Sequence, residues 1–145
     1  MNHLKNIRRE KSRMAYKEIE VMLKEEVASD PKEHYSQDFK GHIKNIPMYI
    51  FNNGLIATYA FIIKKSTGSE GKSYKKIQDI IYNYLKSKDK LYEQGQPEKL
   101  VDIFINLDNK QYRKTTLDLL LYLEALVQFS DAMIEKNNKA VGGGE

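Results

Sequence analysis

The chain has 145 residues, a formal net charge of +4, 41% hydrophobic and 30% charged residues, and no cysteine. This balance is typical of one globular domain with a real core, and the lack of cysteine excludes disulfides and thiol chemistry. No apolar run reaches the roughly 18 residues of a membrane span, and charges near the N-terminus argue against a signal peptide. We therefore expect a cytoplasmic protein with no membrane partner.

The N-terminal segment, residues 2–27, predicts a helix because it lacks glycine and proline and its apolar residues recur about one or two turns apart. These residues are Leu4, Ile7, Met14 and Val21. Residues 28–38 are polar and predict the first loop.

Residues 44–65 form a long apolar run whose local signals conflict. Asn53-Gly54 between two apolar arms is a strong β-hairpin signal, since both residues tolerate positive φ. Pro47 suits the first turn of a helix. On one continuous helix, residues at 3-4 spacing would then be Ile46, Ile50, Ala57, Ala60, Phe61 and Lys64. Inside a helix Gly54 would cost about 1 kcal/mol against alanine, so it needs a reason such as close helix contact. Local signals alone leave both interpretations open.

The later segments favour helices. Residues 75–86 are amphipathic, with Ser73 as a plausible N-cap, and Pro97 opens a short helical pattern. The candidate loops on either side of the first of these helices are residues 66–73 and 87–96.

The last long segment begins with Asp108 and Gln111, which make a capping-box-like start, and is expected to end near Asn137. Within it, residues 117–127 are apolar almost all round, which is typical of a central buried helix.

Together these patterns predict an all-α fold. We expect a single-domain helical bundle of about five to six helices over residues 1–138, followed by a disordered tail at residues 139–145. The hairpin interpretation of the apolar run is therefore the weaker one.

Catalytic and metal-binding signals are weak. His3, His34 and His42 are not spaced as metal ligands on a helix, and no acid is matched with a base. Residues 66–73 look like a phosphate-binding loop, but Ser66 stands where that pattern needs glycine, and no buried strand is predicted before it. We expect a protein that is not an enzyme, with no catalytic residue, no metal and no cofactor.

The basic residues are distributed unevenly. Lys5, Arg9, Arg13 and Lys17 fall four apart, which places them on one helical line with a spacing of about 6 Å. This spacing roughly matches the phosphates of an extended nucleic-acid strand. Arg8 and Lys11 lie nearby, and further cations cluster at predicted helix ends. These are Lys40, Lys44, Lys64, Lys65, Lys72, Lys75, Lys76, Arg113 and Lys114. The alternative is that they are solvated cations favoured by the helix dipole.

Several short motifs follow one another in order along the chain. They are Lys44-Asn45-Ile46-Pro47, Asn53-Gly54-Leu55, Ala60-Phe61, Tyr112 with Thr116, and Phe129. Over residues 8–134 they resemble the small helical subunit of the Cmr-type (type III-B) CRISPR effector complex. Members of that family often carry a tryptophan and a basic residue shortly before the position of Phe129. This chain has Ala125, Val127 and Gln128 there, so the resemblance gives no basic contact in that turn.

The resemblance implies a non-catalytic subunit of an RNA-guided antiviral complex. In that family, copies stack side by side in a ribonucleoprotein filament, and their basic faces line the groove of the guide–target duplex. The resemblance also implies a helix at Pro47, with Gly54 allowing close packing. The implied partners are the other Cmr-complex subunits, guide RNA, target RNA and stacked copies of the chain. The expected phosphate contacts are Arg9, Arg13, Lys17, Lys44, Lys64, Lys65, Arg113 and Lys114.

Two alternatives stay open. One is the equivalent small subunit of the related type III-A complex, and the other is a helical protein-interaction module that does not bind RNA. Tyrosines in apolar patterns, Tyr49 among them, are expected in the core rather than as platforms for base stacking.

Overall fold

The computed structural model describes residues 2–135, with side chains from residue 6 onwards, and no strand occurs in this part of the chain. Its α-helices are α1 (Asn2–Val27), α2 (Ser36–Ile43), α3 (Ile46–Asn53), α4 (Leu55–Ser66), α5 (Gly71–Lys88), α6 (Leu100–Asn106) and α7 (Asn109–Met133). Single 3₁₀ turns lie at Pro31–Glu33, Lys90–Tyr92 and Pro97–Lys99. The all-α prediction is confirmed, but the described residues hold seven α-helices rather than five to six. The predicted tail lies outside the described residues.

Every α-helix contributes to one hydrophobic core. Fully buried representatives are Ile19 of α1, Phe39 of α2, Ile46 of α3, Tyr59 of α4, Ile81 of α5, Phe104 of α6 and Leu123 of α7. None of the described helices combines the length and the apolar character needed to cross a bilayer.

α1 covers the predicted range, but its buried face differs from the predicted one. Ala15, Ile19 and Met22 are buried, whereas Val21 is exposed. The side chain of Leu4 lies outside the described residues. The buried face of α1 was predicted from its apolar residues alone. The burial of a lysine, Lys11, fixes the rotation of the helix instead.

Lys11 joins α1 to α5 and α7 through a closed ring of hydrogen bonds. Its Nζ, 2% exposed, donates to Asp118 Oδ1 at 2.6 Å and to Tyr84 Oη at 2.8 Å. Tyr84 Oη in turn donates to Asp118 Oδ2 at 2.8 Å. Burial raises the pKa of Tyr84, and its bond to Asp118 raises it further, so the phenol stays protonated as a donor. The ring pairs a buried ammonium with both a charge and a neutral acceptor.

α1 and α7 run side by side in the same direction. Lys11 contacts Asp118, and further along both helices the rings of Tyr16 and Phe129 meet edge to face at 5.6 Å. Because both contacts advance along both helices, the N-terminal halves of α1 and α7 lie together.

The apolar run of residues 44–65 is a pair of helices joined at Gly54. Pro47 lies in the first turn of α3, as the helical interpretation expected, and Gly54 has φ +89°. Tyr112 Oη accepts hydrogen bonds from the backbone N–H groups of Leu55 at 3.0 Å and Ile56 at 3.2 Å. A side chain from α7 therefore caps α4, because the N-cap residue of α4 is Gly54, which has no side chain to do so.

The break at Gly54 changes which residues of α4 face the core. Ala57 and Ala60, expected on the apolar face of one continuous helix, are exposed, whereas Thr58, Tyr59 and Ile62 are buried. The prediction of one continuous helix was wrong because the φ of Gly54 lies outside the helical region. The residues after Gly54 begin a new helix, which turns a different set of side chains toward the core.

α2 begins inside the segment predicted as a loop. Its first N–H groups are bound by Glu26 of α1, whose Oε2 accepts from Tyr35 N at 2.6 Å and Ser36 N at 2.8 Å. This start was not predicted because the capping carboxylate lies ten residues earlier in the chain.

Ser73 is not the N-cap of α5, which begins two residues earlier at Gly71. The hydroxyl of Ser73 donates to the backbone oxygen of Glu70 at 3.1 Å and bonds His42 Nδ1 at 2.7 Å. The predicted cap was wrong because Ser73 turns inward, toward α2, rather than toward the free N–H groups.

α7 begins as predicted but ends earlier and is less buried than predicted. Asp108 Oδ1 accepts from Gln111 N at 2.8 Å, which confirms the cap. The helix ends at Met133 rather than near Asn137. Leu117 and Leu121 are 57% and 41% exposed, so residues 117–127 are not buried all round.

We expect Gly54→Ala to lower the free energy of unfolding by about 1–3 kcal/mol, because its φ is disfavoured for other residues. The added Cβ would also lie 3.4 Å from Tyr112 Oη. Urea unfolding followed by circular dichroism measures the change. Gly41→Ala is the matched control: nothing lies within 4 Å of a Cβ there, so it should stabilise α2 by up to about 1 kcal/mol. Equal effects would contradict the role assigned to Gly54.

The Lys11 ring predicts an asymmetry between its two charged partners. Asp118→Ala leaves a buried ammonium without its counter-charge and should cost about 3 kcal/mol of unfolding free energy. Lys11→Met leaves a carboxylate that is 36% exposed and can be hydrated, so it should cost only about 1 kcal/mol. Urea unfolding of both variants tests this order, and the reverse order would show that burial of Lys11 is not the controlling feature.

Candidate nucleic-acid interface

The structure places all eight predicted phosphate contacts on the surface. The exposed cations are Arg9, Arg13, Lys17, Lys44, Lys64, Lys65, Arg113 and Lys114. They fall into three groups, named here the α1 row, the α4 end and the α7 pair.

The α1 row consists of Arg9, Arg13 and Lys17, on the side of α1 that faces away from the core. Lys11 and Ala15 point inward. Since successive helical residues are about 100° apart, Arg9 and Arg13 each lie roughly 160° from Lys11 around the helix axis. The predicted line also included Lys5, whose side chain lies outside the described residues.

Acidic neighbours on α1 do not neutralise this row. Three of them pair instead with lysines other than the eight predicted phosphate contacts: Glu10 with Lys88 at 3.1 Å, Glu18 with Lys76 at 3.6 Å, and Glu20 with Lys24 at 3.8 Å. Within residues 6–135, no carboxylate lies within 4 Å of a cation of the α1 row. These three cations therefore keep their charge available to an external anion.

The α4 end consists of Lys44, Lys64 and Lys65. Tyr49 in α3 meets Phe61 in α4 with ring centroids 5.5 Å apart, and Phe61 in turn meets Tyr74, on which His42 stacks just before α3. The two helices therefore fold back against each other across Gly54. Lys44 just before α3 and the two lysines in the last turn of α4 consequently lie at the same end of the pair. Lys65 Nζ lies 5.7 Å from the centroid of the Phe61 ring, within cation–π distance.

The α7 pair, Arg113 and Lys114, lies near the start of α7, next to the capping Tyr112. Its members are about 100° apart around the helix. Lys114 lies one turn before Asp118, on the side that meets α1, and Arg113 lies one turn before the exposed Leu117. The structure thus brings Lys114 toward the α1 helix and does not merge the three groups into one line.

Other predicted cation clusters serve the fold. Lys40 Nζ donates to the backbone oxygen of Ile134 at 2.7 Å, near the end of α7. Three more lysines pair with acids: Lys72 with Glu33, Lys75 with Asp79, and Lys76 with Glu18. These four lysines therefore have partners within the fold, and for Lys72, Lys75 and Lys76 the helix dipole is not the explanation, because they lie toward the start of α5 rather than at its C-terminal end.

The segment resembling a phosphate-binding loop, residues 66–73, consists of the last residue of α4, the turn that follows it and the first three residues of α5. A helix precedes it where the phosphate-binding motif requires a strand. His42 Nδ1 lies 2.7 Å from Ser73 Oγ, and its Nε2 lies 3.4 Å from Glu70 Oε1. This serine–histidine–acid chain is unsuited to nucleophilic attack, because Ser73 is 1% exposed and its hydroxyl already donates to a backbone oxygen. The described residues contain no group of three potential metal ligands.

A cleft of about 350 Å³ lies between α3 and α4 and was not predicted from the sequence. It is lined by Tyr49, Asn53, Ala57, Thr58 and Phe61. Tyr49 was expected in the core but is only partly buried. Tyr49 and Asn53 form an i, i+4 pair before Gly54, and Ala57 and Phe61 form another after it. These pairs could have indicated the cleft if the reversal of the chain at Gly54 had been predicted.

The chain also has a family match that covers nearly all of its described part. The family model described as CRISPR-associated protein (Cas_Cmr5) matches residues 7–133, from the first turns of α1 to the last residue of α7. No curated protein and no solved structure matches the chain. The match includes the helices that carry the α1 row, the α4 end and the α7 pair. Because it covers most of the sequence, the chain belongs to this family of small Cmr-type CRISPR-associated subunits.

Proposed function

We propose that this chain is the non-catalytic small subunit of a type III-B effector complex that lines the groove for the guide–target RNA duplex. Membership of the family implies membership of a Cmr complex, and the α1 row supports a role in binding RNA within that complex. The three outward cations of this row lie one turn apart and have no acidic partner among residues 6–135, so they are suited to successive phosphates of an RNA backbone.

The chemistry of the α1 row suits contact with a backbone rather than with a base sequence. Two of its members are arginines, whose guanidinium groups can bind phosphate oxygens in a bidentate manner. Phosphate contacts fix position and carry no sequence information. In an RNA-guided complex this is sufficient, because base pairing with the guide supplies the specificity.

The modest net charge is consistent with a subunit that acts in a stack. A formal charge of +4 implies weak, salt-sensitive binding by one copy alone. Several copies along one RNA would add their contacts, because each later contact becomes intramolecular. We therefore propose that the chain stacks with copies of itself.

Exposed apolar residues supply surfaces for such contacts. Met48 and Phe51 lie one turn apart on α3, and Phe51 is 81% exposed. Leu117 and Leu121 form a second exposed pair on α7. A head-to-tail stack needs two different complementary surfaces on each copy, and the two pairs could provide them. The same pairs are the observation that favours the alternative, a protein-interaction module that does not touch RNA.

Charge reversal in the α1 row separates these two functions. Arg9→Glu combined with Arg13→Glu should weaken target-RNA binding by the assembled complex roughly tenfold or more at low salt, and should lower the log–log salt slope by about two. Both residues are exposed and unpaired in the described part of the chain, so the melting temperature should stay unchanged. Filter binding over a salt series measures both quantities.

The control for this variant is Lys90→Glu combined with Lys99→Glu. It makes the same change in net charge at two exposed lysines in the connection between α5 and α6. Equal losses in both variants would mean that only net charge matters. RNA binding unaffected by the change in α1 would favour the module that does not touch RNA.

Phe51→Gln tests the apolar contact of α3. We expect the fold to keep its stability within about 0.5 kcal/mol because the ring is mostly exposed, while incorporation into the complex falls about tenfold. Native mass spectrometry of the purified complex counts the copies retained. Ile105→Gln, at an exposed residue of α6, is the matched control and should leave the copy number unchanged. Full incorporation of the Phe51 variant would exclude this face as a subunit contact.

A further inference from the structure

We infer that the cleft between α3 and α4 holds one unpaired RNA base, with the lysines of the α4 end at the adjoining phosphate. This inference rests on the proposed function in one respect, namely that the chain faces RNA. It adds a base-binding site to what would otherwise be contact with the backbone alone.

The walls of the cleft are aromatic and partly open. Tyr49 and Phe61 meet edge to face at 5.5 Å, and both rings are only partly buried. The cleft volume of about 350 Å³ falls in the lower part of the range of small-ligand sites, roughly 300–1,000 Å³. Unstacked RNA bases are commonly held against aromatic side chains of this kind.

Polar groups in the cleft fit the edge of a base. Asn53, at the end of α3, is exposed and carries both a donor and an acceptor. Thr58 is 3% exposed, yet its Oγ1 has no hydrogen-bond partner among the described residues. Because that oxygen is itself enclosed, it is not a contact for a ligand in the cleft, and the exposed amide of Asn53 is the polar group that a base edge would meet.

The charges around the cleft favour a nucleotide over an apolar protein segment. Lys65 Nζ lies 5.7 Å from the centroid of Phe61, one of the lining rings, and Lys44 and Lys64 lie at the same end of the helix pair. None of the described residues that line the cleft is acidic. A cation beside an aromatic wall matches a base joined to a phosphate, whereas an apolar peptide would gain nothing from the lysines.

The cleft between α1, α5 and α7 fits a base less well, although it includes Lys17 of the α1 row. Its tyrosines, Tyr84 and Tyr122, stack on each other at 4.0 Å and are buried, so neither offers a free face. That cleft is also lined by an acidic residue, Glu18, whose carboxylate is already paired with Lys76 at 3.6 Å.

Photocrosslinking in the assembled complex tests the site directly. The complex is purified through a tag on this chain and loaded with target RNA in which uridine is replaced by 4-thiouridine. Trypsin cleaves after Lys44 and Lys64, so all five lining residues fall on one peptide, residues 45–64. We expect this peptide to carry the main crosslink of the chain; crosslinks confined to other peptides would overturn the inference.

Affinity measurements on the same complex test the contribution of the ring. Tyr49→Leu should weaken target-RNA binding roughly tenfold without changing the salt slope, since a stacked base contributes no counterion release. Tyr49→Phe, which keeps the ring, should bind like the unchanged protein. Asn53→Ala, at an exposed residue, should weaken binding about fivefold with no effect on folding.

These results separate the base site from the proposed function. If the variant with both α1 arginines reversed loses RNA affinity while Tyr49→Leu and Asn53→Ala do not, the base site is wrong and the groove role stands. If none of the variants changes RNA affinity, the groove role itself fails. Loss of a protein subunit from the Tyr49→Leu complex, with RNA affinity per complex unchanged, would assign the cleft to a protein segment and overturn the inference.

Discussion

Burial of Lys11 is the constraint that orients the first helix. An ammonium group can leave water only where a carboxylate and a further acceptor meet it, and Asp118 and Tyr84 do so. Once Lys11 points inward, the helical repeat carries Arg9 and Arg13 to the opposite side. One buried cation thus accounts for a row of exposed ones, and both belong to a segment that looks uniformly basic in the sequence.

Helix starts could be predicted where the cap is local and could not where it is remote. The start of α7 followed from the sequence because Asp108 caps it from the adjoining position. The start of α2 depends on Glu26, and the start of α4 depends on Tyr112, which comes 57 residues after Leu55. No periodicity within either segment encodes such partners. The sequence therefore predicted the helical character of the apolar run but not its division at Gly54.

Exposure was predicted for the eight selected cations but not for the buried Lys11, and it was poorly predicted for apolar groups. The eight selected cations are exposed, but their difference from Lys72 and Lys76 depends on tertiary neighbours that carry acids. Leu117 and Tyr49 followed core periodicity and yet reach the surface. Periodicity cannot distinguish an apolar residue that packs inside the chain from one that packs against another molecule, because the same spacing serves both.

The anchors of the candidate RNA-facing surfaces converge on α7. Asp118 holds α1 through Lys11, and one and a half turns earlier Tyr112 holds the start of α4. The α1 row and the α3–α4 cleft are consequently fixed to the same helix, at positions about 9 Å apart along its axis. A subunit that positions RNA for chemistry elsewhere needs fixed spacing between its contacts more than it needs strong individual contacts, because misplacement by about 1 Å can be costly at a distant reacting centre. A long helix with two side-chain anchors meets that requirement, because Asp118 and Tyr112 hold the two candidate surfaces at fixed positions along one axis.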